Sequence, residues 1–207
     1  MNLANRLTLT RIGLIPFFVA LALAPNVTSN PWTIAVCLWL ALVVFVVAAI
    51  TDYYDGHLAR TRNMVTNFGQ LFDPLADKLL TMSAFVVFVE LRLPTGRPVL
   101  PAWAIILILG REFLVTGLRT LAISQGRLIQ ADRWGKHKTA WQLSCIISIL
   151  VVLAFRATLF AGGFPTRWVD ILMPWVCDLL LAAVIFFTVF SGAVYLQKNR
   201  DILREQP

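Results

Sequence analysis

The sequence predicts an all-α protein that crosses a membrane with six transmembrane helices. Its 207 residues are 58% hydrophobic, with a mean hydropathy of +0.75. Only 14% of the residues are charged, whereas a soluble domain carries about 25%. Apolar segments of about 18 or more residues, the length that spans a bilayer, recur along the whole chain. We therefore expect one polytopic membrane domain over residues 1–207, without linkers, low-complexity tracts or internal repeats.

Prolines and apolar runs locate the individual helices. The first run follows Arg6 and Arg11 and resembles a secretory signal peptide. Pro25 follows its Ala-Leu-Ala end, where cleavage would be disfavoured, so we expect a retained helix. Prolines bound the later turns on one side of the membrane, and the fifth run begins in the basic stretch GKHKT. The predicted helices are residues 8–25, 32–55, 73–93, 100–123, 138–160 and 171–195.

Basic residues indicate the orientation of the helices. With both termini in the cytoplasm, twelve of the eighteen Lys and Arg residues lie on the cytoplasmic side, as the positive-inside rule requires. Only four lie on the other side, namely Arg92, Arg97, Arg156 and Arg167. The net charge of +7 is dispersed between apolar spans, which favours anionic lipid and not nucleic acid as the partner. The three cysteines have no paired spacing, which argues against a disulfide framework or a thiolate metal site.

Four of the eleven acidic residues are concentrated in residues 52–77, DYYDGHLARTRNMVTNFGQLFDPLAD. They are Asp52, Asp55, Asp73 and Asp77. A second helix that continues past Ile50 would place the first two on one face, together with Gly56 and Ala59. These small residues leave room for a planar group, and Arg60 can reach a phosphate.

The third predicted helix carries the other two aspartates four residues apart, with Gly69 one turn before the first of them. Two facing helices could bring four carboxylates together near the bilayer, where like charges repel and desolvation is costly. Two hard divalent cations would compensate them, and oxygen-only ligands favour Mg²⁺ or Mn²⁺ over zinc. Such a pair of ions clamps in-line displacement at phosphorus. Acidic residues at a membrane boundary are often only solvated, but four at these spacings favour a site.

The spacing of these residues resembles the signature of the CDP-alcohol phosphotransferase family, D-x2-D-G-x2-A-R-x8-G-x3-D-x3-D. The chain has a matching residue at every fixed position. The matching residues are Asp52, Asp55, Gly56, Ala59, Arg60, Gly69, Asp73 and Asp77. The resemblance implies a homodimer in which each subunit has six transmembrane helices around a cytoplasm-facing polar cavity.

The resemblance also implies roles for individual residues. Asp52 and Asp73 would bridge two Mg²⁺ ions. Asp55 and Asp77 would each complete the coordination of one ion, and Asp77 would also act as the general base. A second contact region for the nucleotide diphosphate would lie at the entry of the first helix. The residues implied for the CDP-diacylglycerol site are Asn5, Thr8, Gly56, Ala59, Arg60, Thr66 and Gly69.

Charges within the fourth span indicate the acceptor alcohol. The stretch GREFLVTGLRT contains Arg111, Glu112 and Arg119, and each unpaired charge in a span costs about 2.5–3.5 kcal/mol on insertion scales. Their spacing allows all three to line much the same face. Together with Lys136 and Lys138 at the start of the fifth span, they predict a site for a dianion such as a phosphate monoester. Neutral acceptors such as choline or inositol would not need this much positive charge.

Structural roles stay open as alternatives for these charged residues. Arg111 could pair with Glu112 or another acid only to stabilise the fold. Lys136 and Lys138 could simply mark the cytoplasmic side of the membrane.

The segments NLANRLTLTR, GREF with GLR, and GKHKT resemble the bacterial branch of the family that forms phosphatidylglycerolphosphate in the cytoplasmic membrane. This resemblance implies Mg²⁺-dependent transfer of the phosphatidyl group from CDP-diacylglycerol to glycerol-3-phosphate, with release of CMP. Arg111, Arg119, Lys136 and Lys138 would bind the glycerol-3-phosphate. A phosphatidylinositol-phosphate synthase or a cardiolipin synthase of the same family is the alternative. More remotely, a cation transporter would explain the carboxylates but not the Gly-x2-Ala-Arg spacing beside them.

Overall fold

The computed structural model is helical throughout the residues that it describes, apart from short turns. It describes the backbone of residues 3–61, 67–124 and 133–199, and the side chains of residues 9–51, 78–122 and 137–199. Within these ranges there is no strand, and Arg92 and Pro98 form an isolated bridge. The helices are α1 (Leu3–Ala22), α2 (Ala24–Val27), α3 (Pro31–Thr61), α4 (Asn67–Glu90), α5 (Ala102–Ser124), α6 (Arg133–Ala161) and α7 (Arg167–Lys198).

Each predicted helix corresponds to one long helix, although several ends differ. α3 continues to Thr61, so the first two aspartates do lie on continuous helical backbone. α1 ends at Ala22 and not at residue 25, because in a continuous helix the ring of Pro25 would clash with the carbonyl group four residues earlier. α4 ends at Glu90, shortly before Pro94, which disfavours helical backbone in the preceding residue. The one-turn helix α2 was not predicted.

α3 lies at the centre of the described core, where it packs against α1 and α6. Its buried residues recur every three or four positions and therefore form one helical face. They are Ala35, Leu38, Ala41, Leu42, Phe45 and Ala48. The alanines let neighbouring backbones approach closely, which is a common basis of helix association within a membrane.

Three described segments are long and apolar enough to cross a membrane: Pro31–Thr51, His137–Ala161 and Arg167–Lys198. A shorter apolar segment, Leu9–Ala22, lies in α1. Large apolar side chains such as Leu179 remain exposed on the outer faces of the bundle. A lipid environment accommodates such faces, and helices satisfy their own backbone hydrogen bonds there. These features are those of a membrane protein.

The turns before α3, before α5 and before α7 lie at the same end of the bundle. Residues near the first two turns and from the last part of α6 line a shared cavity of about 160 Å³, and Arg92 is one of them. Near this end, Arg97 pairs with Asp178 at 2.9 Å. Arg156 Nε likewise donates to Asp170 at 2.5 Å. The four arginines that the sequence assigns to the less basic side therefore share one end of the structure.

Candidate functional site

The signature residues lie on α3 and α4, two consecutive helices that contact each other. The helical backbone places Asp52 and Asp55 about one turn apart, and it does the same for Asp73 and Asp77. The side chains of the signature residues lie outside the described set, as does the whole of Thr66. Convergence of the four carboxylates therefore stays a prediction. Among the side chains that are described, no group of three or more His, Cys, Asp or Glu residues could hold a metal ion.

α1 carries the residues predicted to form the second nucleotide contact, and it packs against both α3 and α4. Asn5 and Thr8 lie near its start, and their side chains are outside the described set. Arg11 follows Thr8 by about one turn and has only 1% of its surface exposed. A guanidinium group buried to this extent needs compensating charge or hydrogen bonds. The first half of α1 therefore contains a buried, compensated charge, although the helix is otherwise largely apolar.

A group of polar side chains joins α4, α5, α6 and α7 around Glu112. Lys138 of α6 forms an ion pair with Glu112 Oε1, and Arg111 Nη1 lies 3.5 Å from the same oxygen. Arg111 Nη2 donates a hydrogen bond of 3.0 Å to Ser191 Oγ of α7. From α4, Lys78 Nζ donates to Thr116 Oγ1, one turn beyond Glu112. We call this group the α5 cluster; its members are Lys78, Arg111, Glu112, Thr116, Lys138 and Ser191.

The α5 cluster contains more positive than negative charge. Its cations Lys78, Arg111 and Lys138 accompany the single carboxylate of Glu112. The side chains of Lys138, Arg111 and Glu112 are 5%, 14% and 15% exposed. Charges held this far from water are stable only when they are compensated. These charges therefore need compensation from their neighbours or from a ligand.

A cavity of about 40 Å³ borders the α5 cluster between α4, α5 and α6. Lys78, Glu112, Lys138 and Gln142 supply its polar lining. A polar cavity of this size has room for one or a few water molecules. Because Lys78 directly follows Asp77, the cavity lies beside the helix that carries two of the four signature aspartates.

Two of the four predicted acceptor residues are brought together in the structure. Arg111 and Lys138 meet through the carboxylate of Glu112. Arg119 lies two turns beyond Arg111, is exposed and is not a member of the α5 cluster. The side chain of Lys136 is outside the described set. The pairing of Arg111 with Glu112, which the sequence left open as a structural alternative, is present.

Sequence reasoning did not assign a role to three members of the cluster: Lys78, Thr116 and Ser191. Lys78 could have been noticed because it directly follows an aspartate of the signature. Gly192 was also not identified from the sequence, and its lack of a side chain leaves room for Arg111. A Cβ atom at Gly192 would lie 3.2 Å from Arg111 Cγ, a distance at which the arginine would have to shift.

Where α5 meets α7, some buried polar atoms have no hydrogen-bond partner among the described residues. Arg111 Nε on α5 is one, and Thr188 Oγ1 and Tyr195 OH on α7 are further examples. Tyr195 packs against Val115 and Leu118 of α5. Since buried polar atoms are normally satisfied by protein or ordered water, we expect water or a polar ligand where α5 meets α7.

Known proteins resemble the chain over nearly its whole length. The sequence model of the CDP-alcohol phosphatidyltransferase family matches residues 1–190. A relative from Bacillus subtilis is 38% identical over 98% of this chain and 97% of its own length. A relative from Rickettsia typhi is 34% identical, covering 95% and 96%. One from Haemophilus influenzae is also 34% identical, covering 98% and 95%. All three are named CDP-diacylglycerol–glycerol-3-phosphate 3-phosphatidyltransferase.

Proposed function

Because the chain belongs to the CDP-alcohol phosphatidyltransferase family, we propose that it transfers the phosphatidyl group of CDP-diacylglycerol to glycerol-3-phosphate. The products are phosphatidylglycerolphosphate and CMP. The observation that carries this proposal is the similarity to relatives named for that reaction over almost the entire chain. The whole chain, residues 1–207, acts as a single membrane domain.

The proposed setting is the bacterial cytoplasmic membrane, crossed by the six long helices with the site facing the cytoplasm. Support comes from the three apolar segments and from the four arginines grouped at the opposite end of the bundle. α5 would also cross, since its charges Arg111 and Glu112 belong to the polar cluster and not to a lipid-facing surface. The enzyme is proposed to act as a homodimer, as its family membership implies, which chemical crosslinking in native membranes would test.

The donor half of the reaction is assigned to the signature on α3 and α4. Asp52, Asp55, Asp73 and Asp77 would hold two Mg²⁺ ions, with Mn²⁺ as a possible substitute. The donor set fits, because it consists only of carboxylate oxygens carried by two helices in contact. When bound, the ions supply neutralisation of the diphosphate charge.

The remaining signature residues would bind the CDP-diacylglycerol. Small side chains at Gly56, Ala59 and Gly69 leave space for the nucleotide. The polar contacts come from Asn5, Thr8, Arg60 and Thr66. The support is positional, because α1 packs against the two helices of the signature.

In the proposed reaction, Asp77 accepts the proton from the 1-hydroxyl group of glycerol-3-phosphate. The freed oxygen attacks the lipid-linked phosphorus, a new O–P bond forms, and the bond to CMP breaks. The protein contributes mainly by positioning the reactants and stabilising their charge. Lys78, the residue after Asp77, connects α4 with the α5 cluster through its hydrogen bond to Thr116.

The acceptor half is assigned to the α5 cluster and its surroundings. Arg111 and Lys138 are proposed to bind the phosphate group of glycerol-3-phosphate, and Arg119 and Lys136 to complete the pocket. Two largely buried cations, Arg111 and Lys138, support a doubly charged acceptor over a neutral alcohol.

The test is an assay of CMP release by the purified protein with CDP-diacylglycerol, Mg²⁺ and a panel of acceptors. We expect release with glycerol-3-phosphate. Release only with inositol phosphate or phosphatidylglycerol would show that the acceptor assignment is wrong. Asp73→Asn should abolish turnover, whereas Asp178→Asn, which removes a carboxylate at the opposite end of the bundle, should retain it. Equal activity of both variants would refute the assignment of the aspartates.

A further inference from the structure

The side chains proposed to bind the acceptor phosphate already have an anionic partner. Glu112 Oε1 is paired with Lys138 and lies 3.5 Å from Arg111 Nη1. A carboxylate and a phosphate both accept hydrogen bonds from the same cationic donors. The two anions would also repel each other at short range, and with little screening where water is excluded. The acceptor phosphate therefore has to compete with Glu112.

The surroundings of Glu112 allow its carboxylate to give way. The cavity of about 40 Å³ is lined by Glu112 itself, so free volume lies directly beside the carboxylate. Lys78 lines the same cavity from α4. Glutamate has three rotatable side-chain bonds, and the described contacts of Glu112 with Lys138 and Arg111 both involve Oε1.

We propose that Glu112 is the resident counter-ion of the acceptor site, which holds Lys138 and Arg111 in place and yields to the phosphate dianion of the acceptor. Before the acceptor binds, Glu112 pairs with Lys138 and lies close to Arg111, and it offsets part of the cost of burying their charges. During binding, an incoming group has to interact with them more strongly than a carboxylate does. A dianion satisfies this condition better than a monoanion or a neutral alcohol, so Glu112 contributes to acceptor specificity. The identity of the acceptor rests on the proposed function, but the competition between Glu112 and a phosphate for Lys138 and Arg111 does not.

The experiment compares the binding of inorganic phosphate to purified full-length variants in lipid nanodiscs by isothermal titration calorimetry. Glu112→Gln removes the charge and keeps the shape, so it should bind phosphate about tenfold more tightly than the native protein, equivalent to about 1.4 kcal/mol. Glu112→Asp retains the charge but draws it back from Lys138, and a smaller gain of about twofold to threefold is expected from the weakened pair. Asp178→Asn loses a carboxylate from a partly exposed ion pair at the opposite end, and its phosphate affinity should be unchanged.

Phosphate affinity that is unchanged or weaker in both Glu112 variants would overturn the inference and leave Glu112 a structural partner of Lys138. If Glu112→Gln can be purified only in the presence of phosphate, the inference is supported, because phosphate then replaces the missing charge. If that variant cannot be purified at all, the gain expected for Glu112→Asp decides the question.

Activity separates this inference from the proposed function. Tighter phosphate binding by Glu112→Gln, combined with no CMP release from glycerol-3-phosphate by the native protein, would refute the acceptor assignment and retain the role of Glu112. Turnover of glycerol-3-phosphate by the native protein, combined with unchanged phosphate affinity in both variants, would support the acceptor assignment and refute the proposed role of Glu112.

Discussion

Replacing Lys138 with methionine should destabilise the protein, because it leaves the carboxylate of Glu112 without its main partner. Lys138 is only 5% exposed on its side chain and Glu112 only 15%. Breaking a buried ion pair by removing one partner costs about 3–5 kcal/mol. Arg111 Nη1 stays 3.5 Å from the same carboxylate and compensates part of the loss, so we expect a decrease of about 2–3 kcal/mol in the free energy of unfolding. Methionine keeps most of the length of the lysine side chain, which separates the lost charge from lost packing.

The assay is equilibrium unfolding in mixed detergent micelles, followed by circular dichroism, for a double-mutant cycle. Adding Glu112→Gln to Lys138→Met should recover most of the loss, since no unpaired carboxylate then remains. The two single changes would thus be coupled by at least about 1.5 kcal/mol, well above the roughly 0.5 kcal/mol within which independent sites add. Simple addition of the two single effects would refute the reasoning. The pair of Arg156 and Asp170, whose side chains are 27% and 26% exposed, serves as the control, with a coupling of about 1 kcal/mol or less.

Three further changes test the contacts of α7 and the far end of the bundle. Tyr195→Phe removes a buried hydroxyl group that has no hydrogen-bond partner among the described residues, so thermal unfolding should show unchanged or slightly higher stability, and a loss above about 1 kcal/mol would contradict this. Gly192→Ala places a methyl group 3.2 Å from Arg111 Cγ, and if Arg111 binds the acceptor, its KM should rise several-fold with little change in kcat. Arg97→Gln breaks an ion pair whose side chains are 42% and 50% exposed, so the unfolding free energy should fall by less than about 1 kcal/mol and activity should persist.

The positions of the helices could be predicted because hydropathy and proline are local signals. Each long helix was located from its apolar run, and the bounds differed by only a few residues at most ends. The extension of α3 to Thr61 was less obvious, because polarity rises sharply after Ile50. There the helical spacing of the aspartates was the better guide. Asp52 and Asp55 could share one face only if the helix continued past Ile50, and α3 does continue to Thr61.

The α5 cluster could be predicted only in part. Sequence spacing suggested that Arg111, Glu112 and Arg119 share much the same face of α5. In the structure, Arg111 reaches α7, Glu112 reaches α6, and Arg119 remains exposed. Helical spacing defines angles around one axis, but it does not say which neighbouring helix lies at each angle.

By itself, the sequence determined the membrane class, the order of the helices and the residues of the signature, because each depends on composition or on short spacings within one helix. The tertiary structure alone decided that Arg111 meets Ser191, 80 residues further along the chain, and that Lys138 shares the carboxylate of Glu112. The physical reason is that contacts between helices depend on how α5 packs against α6 and α7. Burial then gives these charges their significance, since ions removed from water must either compensate one another or bind a ligand.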